Sequence, residues 1–129
     1  MIDVIFEGGK KVNAVVKGFT IKTDQDIQSG GTATAPDPFS VFLASIATCA
    51  GFYTKSFCDQ REISTDEVVL KMETTYDSTV KMISGIILSI KVPQTFPEKY
   101  EQALIHAVGL CTVKRHLSEK IHFDVVITR

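Results

Sequence analysis

Hydrophobic and polar residues alternate over several short stretches, and this period of two predicts β-strands. The predicted strands are 2–7, 10–17, 19–23, 68–76, 86–92 and 123–127. Gly8-Gly9 permits a tight turn, so the first two strands should form a hairpin. The strands at 68–76 and 86–92 should pair as antiparallel neighbours across the turn at Asp77-Ser78.

The segment 36–60 has a different pattern and predicts one long helix. Asp37 is placed to cap its N-terminus, and Pro38 suits the first helical position because its missing N–H costs nothing there. No charged side chain occurs from Val41 to Tyr53, so the helix should be surrounded by protein on most sides. That run is shorter than the roughly 20 residues of a membrane span, which favours a core helix and no membrane partner.

A second helix is predicted from Pro97, because apolar residues recur there at helical spacing. They are Tyr100, Ala103, Leu104, Ala107, Val108 and Cys111. Gly109 is expected to end this helix, and 111–117 to form another. Cys111 would then lie near a helix N-terminus, where partial positive charge favours a thiolate.

Between the third strand and the long helix, residues 24–35 are rich in Gly, Ser, Thr and Asp without periodicity, which predicts a loop. Such a loop either wraps a site or is a plain connector, and the residues leave both open.

Strands followed by helices packed on antiparallel sheet make an α+β fold. With 129 residues, 44% of them hydrophobic, the chain fits a single domain over 1–129. A net charge of −1 with scattered basic residues argues against nucleic acid as a partner. The first residues do not form an export signal, so a cytoplasmic protein with reduced, free thiols is expected.

Three cysteines are the candidate reactive groups. Cys49 and Cys58 are nine positions apart on the predicted helix, which is about half a turn of rotation and roughly 13 Å of rise. They cannot be bridged there, because bridged Cα atoms lie within about 7 Å. A free cysteine is commonly inert packing, so a chemical role for each stays open.

Metal and cofactor sites are not expected. No Cys-x-x-Cys or His-Glu-x-x-His spacing links the cysteines with His106, His116 and His122, and such spacing is typical of metal ligands. His106 could pair with Cys111 as base and nucleophile. Their five-residue separation, however, puts them on different sides of a continuous helix.

The run from Pro38 to Cys49, followed by Cys111-Thr-Val-Lys-Arg-His-Leu117 and a closing strand, resembles the OsmC/Ohr superfamily, most of all its less characterised OsmC-like branch. The Gly30-Gly31 loop and the order of elements agree over nearly the whole chain. The resemblance implies antiparallel sheets packed around a long central helix, in an intertwined homodimer. It also implies a thiol peroxidase for organic hydroperoxides, in which Cys49 attacks and Cys111 resolves.

Two cysteines suffice for that chemistry. A thiolate cleaves the O–O bond of the peroxide, and a second thiol condenses with the resulting sulfenic acid, releasing water. An unidentified dithiol would then act as reductant. An apolar surround favours alkyl hydroperoxides but raises the thiol pKa unless a positive group offsets desolvation. The candidates for this surround are Phe39, Phe42, Ile46 and Phe52.

The sequence departs from the family where the thiolate should be stabilised. The family places a glutamate about two turns before the first cysteine and an arginine in the N-terminal region, whereas this chain has Ser40 and no arginine before Arg61. The candidate replacement cations are Lys17, Lys22, Lys55, Lys114 and Arg115. Without one, peroxide consumption should be slow at pH 7 and rise with pH, and Ser40→Glu alone should not increase it.

Two functions stay open on the sequence. The first is the two-cysteine peroxidase or a related redox protein. The second is a non-catalytic OsmC-like module that binds a small hydrophobic ligand in the dimer cavity, its cysteines serving as packing. A short distance between the Cys49 and Cys111 sulfurs favours the first, and a closed pocket that thiols cannot reach favours the second.

Overall fold

A computed structural model describes residues 1–117 of the chain. Its elements are β1 (Ile2–Gly8), β2 (Lys11–Val16), β3 (Phe19–Ile21), α1 (Pro38–Asp59), β4 (Val69–Asp77), β5 (Met82–Lys91), α2 (Glu101–Gly109) and α3 (Thr112–Leu117). This is the predicted α+β mixture of antiparallel sheets and a long helix. The strand predicted at 123–127 and His122 lie outside the described residues.

The chain divides into two compact units, Met1–Ala44 and Ser45–Arg129. The expectation of a single domain over 1–129 therefore stays a prediction.

The first unit contains a three-stranded antiparallel sheet in the order β1-β2-β3. Ile2 pairs with Val16 and Phe6 with Val12. The chain reverses at Gly8 and Gly9, which have φ values of 104° and 57°, a region where a Cβ is disfavoured. The predicted hairpin is confirmed.

The loop between β3 and α1 is built around the carboxylate of Asp24, whose side chain is only 1% exposed. It accepts hydrogen bonds from the Gln25 N–H at 2.8 Å and from the N–H and hydroxyl of Thr32 at 3.2 and 2.6 Å. Thr34 adds the same two donors at 3.1 and 2.9 Å. Hydrogen-bond donors of this loop thus surround the buried carboxylate of Asp24.

These bonds control the charge of Asp24. The Thr32 hydroxyl makes the largest contribution, and together with the donors of Gln25 and Thr34 it holds the Asp24 pKa well below its usual range, although burial acts in the opposite direction. A carboxyl whose pKa is lower in the folded state than in the unfolded state stabilises the fold above its unfolded pKa. That contribution is lost as pH falls toward the folded pKa.

We therefore expect Asp24→Asn to lower the urea midpoint at pH 7, because the amide turns an NH2 group toward donors that need an acceptor. From about pH 4, near the unfolded pKa of an aspartate, down to pH 2, the midpoint of the unchanged protein should fall toward that of the variant. The measurement is urea unfolding followed by circular dichroism at a series of pH values. Parallel curves for the two proteins over this range would contradict it.

The long helix α1 begins where the sequence predicts. The Asp37 carboxylate accepts hydrogen bonds from the N–H groups of Phe39 and Ser40 at 2.9 and 3.0 Å, so it caps the helix in front of Pro38. The expectation of protein on most sides is wrong for the isolated chain, because only one stripe of α1 is buried. That stripe consists of Ile46, Ala50, Thr54, Phe57 and Cys58.

In the second unit, β4 and β5 form the predicted antiparallel pair, with Leu70 opposite Ile90 and Met72 opposite Leu88. A single 3-10 turn, Glu98–Tyr100, precedes α2, so this helix starts later than Pro97. Gly109 ends it, as predicted. The core of the unit consists of Ala50, Phe57, Cys58, Phe96, Leu104 and Val108.

By length and composition, α1 is the one helix in the described part of the chain that could cross a membrane. A single such helix is weak support for a membrane protein, because the core helix of a soluble protein meets the same criteria.

Candidate active site

The turn between α2 and α3 places Cys111 against α1. The Cys111 N–H donates to the carbonyl of Val108 at 3.1 Å, and the Cys111 carbonyl accepts from the Arg115 N–H at 3.0 Å. This tight connection buries the Cys111 thiol completely and brings it within hydrogen-bond reach of the half-buried Cys49 thiol. Two cysteines far apart in sequence therefore meet, both as free thiols.

The surroundings of Cys49 favour its thiolate. Burial acts to raise the Cys49 pKa, but a hydrogen bond from the Cys111 thiol and bonds from the backbone N–H groups of Val113 and Thr112 outweigh it, so that the pKa is lowered. Each of these donors stabilises negative charge on the sulfur. Cys49 is thus the thiol of this pair that ionises first.

Cys111 behaves in the opposite way. Burial and the hydrogen bond to Cys49, together with the charge of the Cys49 thiolate, raise the Cys111 pKa, although the N–H groups of Lys114 and Val113 act against this. The sequence placed Cys111 near a helix N-terminus and expected its thiolate to be favoured. The structure confirms that place, directly before α3, and N–H groups there do favour the thiolate, but burial and Cys49 outweigh them, so the Cys111 pKa is raised.

Uncharged groups offset the effect of burial on the Cys49 pKa. The sequence analysis predicts that a cation stabilises the Cys49 thiolate. In the structure, N–H and S–H donors lower the Cys49 pKa. Lys55, one of the candidate cations, forms an ion pair with Asp59 on the exposed side of α1. Backbone donors of this kind have no residue-type signature, so the sequence could not reveal them.

Ser40 occupies the position of the family glutamate, and its hydrogen bonds go to the N-cap of α1. Its hydroxyl donates to the Asp37 carboxylate, and its N–H bonds to the same side chain. Ser40 therefore completes the cap of α1.

Tyr53 and Thr112 make a contact that sequence reasoning missed. Tyr53 lies one helical turn after Cys49 on α1, and its hydroxyl is 3.0 Å from the Thr112 hydroxyl oxygen. Thr112 is the first residue of α3 and supplies one of the N–H groups at the Cys49 sulfur. The bond joins the two helices beside the thiol pair.

An apolar cleft of about 580 Å³ lies in the second unit. It is lined by Ile46, Ile83, Ser84, Gly85, Ile86, Leu88, Ile90, Ile105, Val108, Gly109, Lys114 and Leu117. Ile46 is one turn before Cys49, and Val108 one turn before Cys111, so two of the lining residues lie one helical turn from the thiols. Its walls are aliphatic groups of β5 and α2 instead of the predicted phenylalanines. Phe52 is 66% exposed.

Neither Cys58 nor His106 joins this site. Cys58 is fully buried in the core of the second unit, and burial raises its pKa. His106 is exposed on α2 and lines a separate cleft with Tyr53 and Arg61, whereas Cys111 is completely buried. Within residues 1–117, no three His, Cys, Asp or Glu side chains converge as they would around a metal ion.

A sequence model of the family described as "OsmC-like protein" matches residues 30–126, a span that includes Cys49 and Cys111. None of the curated proteins is similar enough in sequence to match the chain.

Solved structures share the fold. An osmotic stress induced and detoxification response protein from Psychrobacter arcticus is 18% identical, with a TM-score of 0.73 over 94% of this chain and 87% of its own. An OsmC-like protein from Mycoplasma pneumoniae is 15% identical, with a TM-score of 0.71 over 92% and 86%. An organic hydroperoxide resistance protein from Legionella pneumophila is 16% identical, with a TM-score of 0.56 over 91% and 87%.

Proposed function

The chain belongs to the OsmC-like protein family, and from this premise we propose that it is a thiol-dependent peroxidase that reduces organic hydroperoxides, with Cys49 attacking and Cys111 resolving. Family membership supports a redox role connected with peroxides. The observation that carries the finer proposal is the hydrogen bond between the Cys49 and Cys111 thiols, with the Cys49 pKa lowered and the Cys111 pKa raised.

In the first step, the Cys49 thiolate attacks the outer oxygen of the hydroperoxide. A sulfur–oxygen bond forms, the O–O bond breaks, and the alkoxide leaves as the alcohol after taking up a proton. The sulfur is oxidised by two electrons to a sulfenic acid, and the peroxide is reduced. A thiolate is needed because the neutral thiol is a poor nucleophile.

In the second step, the Cys111 sulfur displaces the hydroxyl of the Cys49 sulfenic acid. The S–S bond forms and water leaves. Cys111 keeps its proton until this stage because its pKa is raised, so it does not compete for the peroxide. A dithiol reductant then restores both thiols by exchange and is itself oxidised to a disulfide.

The apolar cleft whose lining includes residues one helical turn from each thiol supports an organic substrate. Aliphatic groups of β5 and α2 line it, and burying a hydrocarbon chain there contributes about 25 cal/mol for each Å² removed from water. Hydrogen peroxide has no apolar part and gains nothing from this surface. The preference should therefore be for alkyl or aryl hydroperoxides.

Consumption of cumene hydroperoxide by the purified protein with dithiothreitol tests the proposal. We expect turnover well above that of dithiothreitol alone, and faster turnover than with hydrogen peroxide at the same concentration. Absence of turnover, together with saturable binding of an apolar fluorophore, would overturn it in favour of a module that binds a small hydrophobic ligand.

The disulfide of the proposed cycle can be mapped. We expect one equivalent of cumene hydroperoxide to link Cys49 to Cys111 and to leave Cys58 as a thiol, because Cys58 lies in the core away from both. The measurement is peptide mapping by mass spectrometry after alkylation without reductant. A main intramolecular bridge that contains Cys58 would contradict the prediction.

The protein is further proposed to act as a homodimer. Large apolar side chains are exposed on the single chain; they include Ile2, Val4, Phe6, Phe39 and Phe52. Large apolar side chains left exposed on a single chain favour an interaction with another protein, and a second copy is the occupant that family membership favours. Light scattering at micromolar concentration should give twice the mass of one chain. The mass of a single chain would exclude the dimer.

We place the protein in the cytoplasm, where a dithiol reductant is available and thiols are kept reduced.

A further inference from the structure

The Tyr53 hydroxyl and the Cys49 sulfur both bond to the same residue of α3. Tyr53 reaches the Thr112 side chain at 3.0 Å, and Cys49 accepts a hydrogen bond from the Thr112 backbone N–H. Tyr53 and Cys49 are four residues apart on α1, so they lie on the same face of that helix. Thr112 is therefore held to α1 at two points, one of which is the reactive sulfur.

α3 needs such an anchor. Over its described residues, Thr112–Leu117, no side chain is buried, so packing against the core contributes little to holding it in place. Its connection to α2 consists of Leu110 and Cys111 alone. A small rotation of its first turn would carry the N–H groups of Thr112 and Val113 away from Cys49.

We propose that Tyr53 is a positioning residue, whose hydroxyl bond to Thr112 holds the first turn of α3 so that the Thr112 and Val113 N–H groups stay on the Cys49 sulfur. The use of the thiolate for peroxide cleavage rests on the proposed function, whereas the placement of the N–H groups does not.

The action of Tyr53 is indirect. Within residues 1–117, its hydroxyl bonds to Thr112 and to neither sulfur. Among residues 1–117, the titratable group in contact with Cys49 is the Cys111 thiol, and a substitution at Tyr53 leaves it in place. Removing the hydroxyl should therefore weaken the thiolate only through the backbone donors, which favour the charged form of Cys49.

The test is the pH dependence of Cys49 alkylation by iodoacetamide in the full chain, read at the Cys49 peptide by mass spectrometry. Only the thiolate reacts, so the midpoint of the rate reports the Cys49 pKa. Loss of one weak hydrogen-bonded anchor should raise this pKa by about 0.5 to 1 unit in Tyr53→Phe. Alkylation at pH 7 should then slow about three- to tenfold, with the same plateau at high pH.

Matched variants separate positioning from general destabilisation. Thr112→Val removes the other half of the bond and should give the same shift, whereas Thr112→Ser keeps the hydroxyl and should resemble the unchanged protein. The double variant Tyr53→Phe/Thr112→Val should shift no further than either single one, because both act through one bond. Tyr76→Phe removes an exposed hydroxyl on β4 and should change nothing.

An unchanged Cys49 midpoint in both Tyr53→Phe and Thr112→Val would overturn the inference, even if both variants melted at lower temperature. Additive shifts in the double variant would also overturn it. No peroxide is used, so the outcome is independent of the proposed function. A protein that shows these shifts but fails to consume cumene hydroperoxide would refute the peroxidase and leave the positioning role in place.

Discussion

Replacing Cys49 by serine is expected to abolish hydroperoxide reduction, a loss on the order of a thousandfold or more. The serine hydroxyl stays protonated at neutral pH, and the N–H donors that lower the thiol pKa cannot ionise a group of so much higher pKa. Without a nucleophilic sulfur, neither the sulfenic acid nor the disulfide forms. The measurement is cumene hydroperoxide consumption with dithiothreitol, for the unchanged protein and the variant at equal concentration.

Cys58→Ser is the matched control, because it makes the same chemical change on the same helix. Cys58 is fully buried in the core, and its pKa is raised, so it does not supply a thiolate. The Cys58→Ser variant should keep most of the hydroperoxide reduction. Its fold should be less stable, because the substitution places a hydroxyl in an apolar core. Retained activity in Cys49→Ser, or lost activity in a folded Cys58→Ser, would refute the assignment of the attacking thiol.

Gly31→Ala is expected to destabilise the fold by about 3–5 kcal/mol, at the upper end of single substitutions. A Cβ at this position would lie 2.0 Å from the Gln25 carbonyl oxygen and 2.4 Å from its carbon. The opposing atoms are backbone and cannot swing aside as a long side chain does. Hydrogen bonds hold the loop on both sides, from the Gly31 N–H to the Asp26 carbonyl at 2.8 Å and from the Ala33 N–H to the Gln25 carbonyl at 3.0 Å.

The matched control for this substitution is Gly51→Ala on α1. A Cβ there meets no atom within 4 Å in the chain, and alanine is favoured over glycine inside a helix by about 1 kcal/mol. Urea unfolding should show a much lower midpoint for Gly31→Ala and an equal or higher one for Gly51→Ala. A Gly31→Ala midpoint equal to that of the unchanged protein would mean that the loop relaxes around the new methyl group.

Much of the secondary structure could be predicted because it depends on neighbouring residues. Asp37 and Pro38 mark the start of α1 through local capping and a fixed φ, and the structure begins the helix there. Gly8-Gly9 mark the first hairpin in the same local way. Alternation over 68–76 and 86–92 was enough for the β4–β5 pair, since each strand carries its own period.

The candidate site was only partly predictable. The family resemblance predicts that Cys49 and Cys111 react together, but their separation along the chain leaves their contact undetermined. The hydrogen-bond donors at Cys49 belong to the backbone of α3, and every residue except proline has such an N–H group. The presence of such a group in the sequence therefore does not show where it points, and no residue type marks these donors in advance.

The sequence by itself determined the elements, their order and the residue types available for chemistry, because propensity, capping and periodicity act over a few residues. Only the tertiary structure decided which of those residues meet: Asp24 with Thr32 and Thr34, Tyr53 with Thr112, and Cys49 with Cys111. The physical reason is that thiol ionisation responds to atoms within a few ångströms. The folded chain brings those atoms together from separate helices, and no local pattern along the chain encodes that meeting.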